Sequence, residues 1–174
     1  MLKNLKKEIS ILTKKFEIRK FDEVINEALV ILKKRDNDFL WNLVGLCFQN
    51  LNNHNKSIEC FENTIKINPK NFSAYNNLGI SYKKLKRYKE SESNLHKSIT
   101  INPNYVNAMV NLGNLKNETY FFNESIKYYK RAIELNNKLP STYLNLANVY
   151  QTINKIEEAK KNFNKAIAID ETFT

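Results

Sequence analysis

The chain has 174 residues, 42% hydrophobic and 26% charged, a balance typical of a globular protein with a buried core. Only three glycines and three prolines occur, too few for the many tight turns of a β-sandwich. The net charge is +10, but 24 of the 28 basic residues are Lys and only four are Arg, the residue best suited to reading phosphates and base edges. Because this charge is also dispersed along the chain, we expect no nucleic acid among its partners.

The amino-terminal segment does not resemble a targeting or membrane-spanning sequence. Lys and Glu interrupt its apolar residues every few positions, and no run in the chain approaches the roughly 18 apolar residues that a membrane span needs. Cys47 and Cys60 form no metal-ligand motif, so both are expected to be reduced and buried. These features predict a cytoplasmic protein with no membrane partner.

Residues 1–37 carry two runs of apolar side chains at helical spacing, which predict a pair of amphipathic helices. The polar residues Lys3, Lys7, Lys14 and Glu17 are expected to form an outer face that meets water. The first apolar run consists of Leu2, Leu5, Ile9, Leu12 and Phe16, and the second of Phe21, Val24, Ile25, Ala28, Leu29 and Leu32.

From residue 38 onward the sequence repeats every 34 residues. The glycines Gly45, Gly79 and Gly113 fall at this interval, and Ala147 takes the next equivalent position. Each repeat contains two halves with apolar residues at helical spacing, so each predicts two helices of about thirteen residues. The repeating blocks are 38–71, 72–105, 106–139 and 140–174.

Small residues at equivalent positions predict close helix–helix contacts. A glycine inside a helix costs roughly 0.5–1 kcal/mol relative to Ala, so its recurrence implies a site where a Cβ atom would clash. The second helix of each pair also carries a small residue, which is expected to allow the same close approach: Ser57, Ser91, Ser125 and Ala159.

Prolines predict where helices end and begin. Pro69 and Pro103 should end the second helices before them, because the residue before a proline disfavours the helical conformation. Pro140 should instead open its helix at the first position, where its missing N–H group costs nothing.

This pattern resembles the tetratricopeptide repeat family, whose 34-residue unit reads W-x2-L-G-x2-Y, then A-x3-F, then P. The third repeat departs from the pattern, with Met109 in place of the first aromatic residue and Lys116 in place of the tyrosine. The matching first-helix residues are Trp41, Val44, Gly45 and Phe48, then Tyr75, Leu78, Gly79 and Tyr82, then Tyr143, Leu146, Ala147 and Tyr150. The second helices match with Ser57, Phe61 and Pro69, with Ser91, Leu95 and Pro103, with Ser125 and Tyr129, and with Ala159 and Phe163.

The resemblance implies an all-α, right-handed superhelical solenoid of about ten helices in antiparallel pairs. It makes residues 1–37 a divergent capping pair and the four 34-residue blocks the repeats. Most of the aromatic residues are then expected in the core. No solvating helix follows the last repeat, so Ile156, Phe163 and Ile167 are expected to be partly bare, which makes self-association through this repeat a further expectation.

No catalytic signature is found in the sequence. There is no glycine-rich phosphate loop, no HExxH pair and no nucleophile motif. His54 and His96 have no Cys, Asp or Glu at metal-ligand spacing and are expected to be solvated. We therefore expect a protein that is not an enzyme and holds neither a cofactor nor a metal.

Asparagines recur on the first helices of the repeats, which line the concave groove in solenoids of this family. An Asn amide offers a donor and an acceptor, the complement of a peptide unit, so a ladder of amides can hold an extended peptide. This is similar to the asparagine ladder of O-linked N-acetylglucosamine transferases, although the first full repeat departs, with Leu43 at the ladder position. The candidate peptide-binding residues are Asn77, Asn111 and Asn145, with Asn76, Asn114, Asn148, Lys83 and Asn117 around them.

A second mode of this family, the carboxylate clamp for acidic chaperone tails, is not supported. It requires Lys and Arg in the groove, whereas the groove candidates here are Ser73, Asn76, Asn107, Asn111, Ser141 and Asn145. The clustered cations Lys83, Lys84, Lys86, Arg87 and Lys89 fall instead at one inter-helix turn, where they are either a solvated loop or a docking point for an acidic partner.

Three functions remain open at this stage. The first is a scaffold or adaptor that binds a protein or peptide in its groove. The second is the substrate-targeting region of a larger enzyme, such as a glycosyltransferase or sulfotransferase, because similar arrays precede such domains. The third, an RNA-binding helical-repeat protein, would need a basic groove and is disfavoured by the amides.

Overall fold

A computed structural model describes residues 2–170, with side chains described from residue 5 onward. All regular secondary structure in this part of the chain is α-helical, and the predicted all-α fold class is confirmed. Helices joined by short turns pack against each other, for example α3 with α4 and α9 with α10, so each such pair is antiparallel. The helices are α1 Leu2–Glu17, α2 Phe21–Leu32, α3 Asp38–Asn50, α4 His54–Ile67, α5 Phe72–Lys84, α6 Tyr88–Ile101, α7 Val106–Glu118, α8 Phe122–Leu135, α9 Pro140–Thr152 and α10 Ile156–Ile169.

Asparagine side chains begin three consecutive helices. The Oδ1 atom of Asn37 accepts a hydrogen bond from the Leu40 backbone N–H at 2.9 Å, and Asn53 and Asn71 cap α4 and α5 in the same way. Each bond satisfies one of the N–H groups that a helix leaves unpaired at its start. Some of the many asparagines of this chain therefore serve as helix caps.

Prolines act as the sequence predicts. Pro140 occupies the first turn of α9. Helix α4 ends at Ile67, two residues before Pro69, and α6 ends at Ile101, two residues before Pro103.

The turn inside each helix pair contains one residue with a positive φ angle. These residues occupy equivalent positions between the first and second helix of each pair, and none of them is glycine. A positive φ is uncommon for residues with a Cβ atom, although Asn tolerates it better than most. The residues are Arg19 (62°), Asn52 (58°), Lys86 (58°), Tyr120 (64°) and Asn154 (59°).

The described helices form two compact units, residues 1–94 and 95–174, and the division falls inside α6. The core of the first unit contains both predicted stripes of the N-terminal pair, with Leu12, Val24 and Ala28 fully or almost fully buried. The side chains of Leu2 and Lys3 lie outside the described part of the chain. The outer face of this pair is less polar than predicted, because Ile11 and Val30 are exposed beside the charged residues.

Aromatic burial matches the core prediction only in part. Phe61 and Tyr129 are 0% and 1% exposed, and Tyr82 and Tyr150 are also buried. The other motif aromatics are half-buried: Trp41, Phe48, Tyr75, Tyr143 and Phe163.

Two of the recurrent glycines, Gly45 and Gly113, lie where an aromatic ring of the second helix crosses the first. A Cβ atom added at Gly45 would come within 2.5 Å of the Phe61 ring, and one added at Gly113 within 2.5 Å of the Tyr129 ring. The predicted close approach is thus confirmed at both glycines. The serines contribute more than small size: Ser125 Oγ donates to the Gly113 carbonyl at 2.8 Å, and Ser91 Oγ donates to the Gly79 carbonyl at 2.7 Å.

We predict that Gly45→Ala and Gly113→Ala each lower the free energy of unfolding by about 1–3 kcal/mol, despite the better helix propensity of Ala, because buried rings cannot make room. Urea denaturation would measure this. Ala147→Gly is the matched reverse change, at the position where the fourth repeat already carries Ala, and should cost roughly 0.5–1 kcal/mol. A stabilising effect of Ala at position 45 or 113 would contradict the account.

Candidate functional site

In the first unit, two of the predicted groove asparagines are buried. Asn76 is 3% exposed and Asn77 is 7% exposed. The Asn77 Nδ2 group donates to Asn42 Oδ1 on α3 at 3.3 Å, and its Oδ1 accepts from Asn76 Nδ2 at 3.3 Å. These amides join α3 to α5, and their burial removes both from the residues that a peptide can reach in this structure.

A further amide, Gln49, supports the same contact and was not singled out from the sequence. Its Nε2 group donates to the Asn77 backbone carbonyl at 3.2 Å and to Ser81 Oγ at 2.9 Å. Ser81 Oγ in turn lies 2.8 Å from Ser57 Oγ inside the core. These side-chain hydrogen bonds therefore join three helices of the first unit, α3, α4 and α5.

The second unit arranges its amides differently. Asn145 Nδ2 on α9 donates to Asn114 Oδ1 on α7 at 3.2 Å. The same Asn114 oxygen accepts a 2.7 Å hydrogen bond from the hydroxyl of Tyr129, whose ring is buried against Gly113. A continuous path of polar contacts thus leads from the core of the second unit to half-buried amides on α7 and α9.

Asn111 lies one helical turn before Asn114, and Asn148 lies one turn after Asn145, so each shares a helix face with its neighbour. Asn148 is exposed, and the other three are half-buried. We call Asn111, Asn114, Asn145 and Asn148 the amide strip. Asn117, the remaining candidate on α7, is half-buried one turn beyond Asn114.

Lys83 is half-buried near the end of α5, at the start of the basic turn. Within this turn the Arg87 guanidinium forms an ion pair with Glu90 at 2.8 Å and lies 4.5 Å from the centre of the Tyr82 ring. Arg87 therefore belongs to the packing of the helix pair. Lys84, Lys86 and Lys89 are exposed, as the sequence indicated.

The prediction of a solvated histidine is wrong for His54. His54 is half-buried, and its Nδ1 atom is inaccessible to solvent and has no hydrogen-bond partner among the described residues. Burial, together with the charge of Lys84, lowers the pKa of His54. His96 is half-buried against Tyr128, with the Nε2 atom 3.5 Å from the Tyr128 hydroxyl.

Cys47 and Cys60 are buried and unpaired with each other, as predicted. Burial raises the pKa of each thiol to about 12, which keeps both protonated and weakly reactive. Within residues 2–170, no group of three His, Cys, Asp or Glu side chains has a metal-binding arrangement. None of the helices in that range combines the length and apolar character needed to cross a membrane.

Tetratricopeptide repeat models match residues 72–105 and 104–172, and a TPR repeat model matches residues 48–86, so the matches together extend from residue 48 to 172. The chain belongs to the tetratricopeptide repeat family. TPR proteins are typically non-catalytic, and membership of this family supports a protein-interaction scaffold. No curated protein matches this TPR chain significantly in sequence.

Solved structures share the TPR fold of this chain at low sequence identity. MamA from Desulfovibrio magneticus is 17% identical, with a TM-score of 0.82 and 96% of this chain and 95% of that chain covered. TTC0263, a thermophilic TPR protein of Thermus thermophilus, is 16% identical, with a TM-score of 0.81 and coverages of 95% and 91%. PilF of Pseudomonas aeruginosa is 16% identical, with a TM-score of 0.85 and coverages of 94% and 75%. These likenesses show the fold.

The buried Tyr129 hydroxyl predicts a pH dependence of stability. Burial raises the pKa of Tyr129 to about 12 from an ordinary value of 10. The unfolded chain therefore loses this proton first, so the stabilisation is complete below pH 10 and is lost as pH rises towards 12. Tyr129→Phe should cost about 0.5–1.5 kcal/mol at pH 8, where the bond to Asn114 is intact.

Urea denaturation of both proteins from pH 8 to 12 tests this expectation. The wild-type advantage should shrink between pH 10 and 12, and every titratable group other than Tyr129 is common to the two proteins. A difference in unfolding free energy that stays constant across this range would contradict a buried, protonated Tyr129.

Proposed function

We propose that this TPR protein is a non-catalytic scaffold that holds an extended segment of a partner protein on the amide strip of α7 and α9. The observation that carries the proposal is the 3.2 Å hydrogen bond between Asn145 Nδ2 and Asn114 Oδ1. It joins the first helices of two consecutive repeats at their amides and so makes one polar surface from two helices.

The chemistry of the strip suits a peptide backbone. An Asn side chain carries one carbonyl acceptor and two N–H donors, which match the N–H and C=O groups of an extended chain without selecting its side chains. The strip contains no charged residue, so it offers little to a phosphate backbone. These properties favour a peptide over RNA as the ligand.

Two members of the strip, Asn114 and Asn145, are also held in place before a ligand arrives. Asn114 is fixed by the buried Tyr129 hydroxyl on one side and by Asn145 on the other. Ordering a flexible side chain on binding costs roughly 0.5–1.5 kcal/mol, a cost that fixed amides avoid in part. Asn111 and Asn148 then remain as the members that can be changed without breaking this hydrogen-bonded pair.

The exposed apolar residues of α10 support self-association as a second part of the proposal. Ile156 is 43% exposed and Ile167 is 38% exposed, whereas Phe163 is half-buried against the core of the second unit. An apolar helix face of this kind can be covered by a second copy of the chain.

We predict that the double substitution Asn111→Ala with Asn148→Ala reduces capture of the partner by roughly five- to hundredfold. Each amide is expected to contribute about 0.5–1.5 kcal/mol through its hydrogen bonds, and about 1.4 kcal/mol corresponds to a factor of ten. The measurement is affinity capture from the source lysate, with partner abundance quantified by mass spectrometry and the fold checked by circular dichroism.

The matched control is Asn26→Ala with Asn164→Ala, two exposed amides on α2 and α10. It removes the same number of amides and should leave capture unchanged. Equal capture by the strip variant and the control variant would place the binding site elsewhere and overturn the proposal.

A further inference from the structure

Three consecutive aromatic residues lie where α7 leads into α8: Tyr120 and Phe121 in the turn, and Phe122 at the start of α8. Tyr120 is 80% exposed and Phe121 is 56% exposed, although aromatic side chains normally bury most of their area. With Asn123, Glu124, Ile153 and Lys155 they line an open cleft of about 470 Å³, bounded on its far side by the turn between α9 and α10. We call this cleft the aromatic turn pocket.

The turn does not require an aromatic residue at position 120. The φ angle of Tyr120 is 64°, and the equivalent residues of the other four helix pairs, Arg19, Asn52, Lys86 and Asn154, have the same left-handed conformation. Two of these pairs use asparagine, which tolerates a positive φ better than a bulky residue does. The turn geometry therefore accounts for the backbone, and the exposure of the Tyr120 ring is the feature that points to a surface role.

The neighbouring contacts show how the rings are held. Tyr120 and Phe122 meet edge to face, with ring centres 6.1 Å apart and planes at 88°. The ammonium group of Lys116, which is only 6% exposed, lies 5.1 Å from the Phe121 ring centre and forms an ion pair with Glu124 at 2.9 Å. Lys116, which replaces the motif tyrosine, therefore makes a cation–π contact with the Phe121 ring and neutralises the charge of Glu124.

The charge at the rim favours one kind of occupant. Once Glu124 is compensated by Lys116, the exposed ammonium group of Lys155 gives the pocket a positive edge. The whole chain also carries a net charge of +10, which attracts an acidic partner. Exposed aromatic rings around a cleft are also typical of residues that anchor a partner.

We propose that the aromatic turn pocket docks an acidic segment of a partner protein. An apolar side chain of that segment inserts between Ile153 on one side and the rings of Tyr120 and Phe121 on the other. An adjacent carboxylate pairs with Lys155. This surface is built by the turns of the second unit and does not include the amide strip, so it holds a partner whether or not the strip does.

The first test separates a binding role from a folding role. Tyr120→Asn introduces the residue type found at the equivalent positions 52 and 154. Because Asn tolerates a positive φ angle better than Tyr, the midpoint of thermal unfolding should rise or stay unchanged. Lys86→Asn is the matched control at the equivalent turn and should behave in the same way. A midpoint that falls in Tyr120→Asn but not in Lys86→Asn would show that the ring serves the fold, and would overturn the proposal.

The second test measures binding by two-dimensional NMR of the ¹⁵N-labelled full chain. The probe is an eight-residue peptide of Asp and Glu with two central leucines, compared with one in which Ser replaces both leucines and one in which Lys replaces every acid. We expect the first peptide to shift the backbone signals of residues 120–124 and 153–155. Its dissociation constant should rise at least fivefold in Tyr120→Asn and in Lys155→Glu, and should not change in Lys86→Asn.

Three results would overturn the proposal. One is no response at these residues to the acidic leucine peptide. Another is an equal response to the Lys or Ser peptide, which would make the pocket non-selective. The last is a shift of the same signals with protein concentration alone, which would identify a second copy of the chain as the occupant.

Discussion

The close contact between a small residue on the first helix and the second helix of the same pair is the packing constraint on which the repeats depend. Gly45 lies under Phe61 and Gly113 under Tyr129, in each case with no room for a Cβ atom. The helices approach so closely that the Ser125 hydroxyl reaches the Gly113 carbonyl, and Ser91 makes the equivalent bond to Gly79. The small residue recurs every 34 residues, as Gly or as Ala147.

The same contact also positions the candidate binding surface. In the second unit the ring that lies on Gly113 ends in the hydroxyl group that holds Asn114, and Asn114 holds Asn145. Packing in the core and the position of the surface amides are thus coupled through one tyrosine. A phenylalanine there would place the same ring on Gly113, so the hydroxyl group itself serves the polar surface.

The two units show why the binding residues could be predicted only in part. The 34-residue period and the helical spacing of apolar residues define the helices, their first and second faces and the positions of the glycines. They do not define which amides neighbouring helices cover. Asn77 and Asn145 occupy equivalent positions, yet Asn77 is buried by contacts with Asn42 and Asn76, whereas Asn145 stays partly accessible. The contacts of Asn77 with Asn42 and of Asn145 with Asn114 join residues 35 and 31 positions apart, which a local pattern does not report.

The backbone conformation of Tyr120 and the burial of His54 could not be predicted from local sequence patterns for similar reasons. The positive φ angle of Tyr120 follows from the turn geometry, which the sequence shows only once Asn52 and Asn154 are recognised as its equivalents. The burial of His54 depends on how α4 begins against α5, including Lys84. Lys116 could have been flagged, because it replaces a motif tyrosine at a position that is otherwise buried, and a buried lysine requires a partner.

The most direct test of the central claim is NMR of the chain with selectively ¹⁵N-labelled asparagine side chains, titrated with the peptide segment of a captured partner. The account predicts that the side-chain NH₂ signals of Asn111, Asn114, Asn145 and Asn148 move together, while those of Asn26 and Asn164 do not. Saturable binding that leaves the four strip signals in place would contradict it.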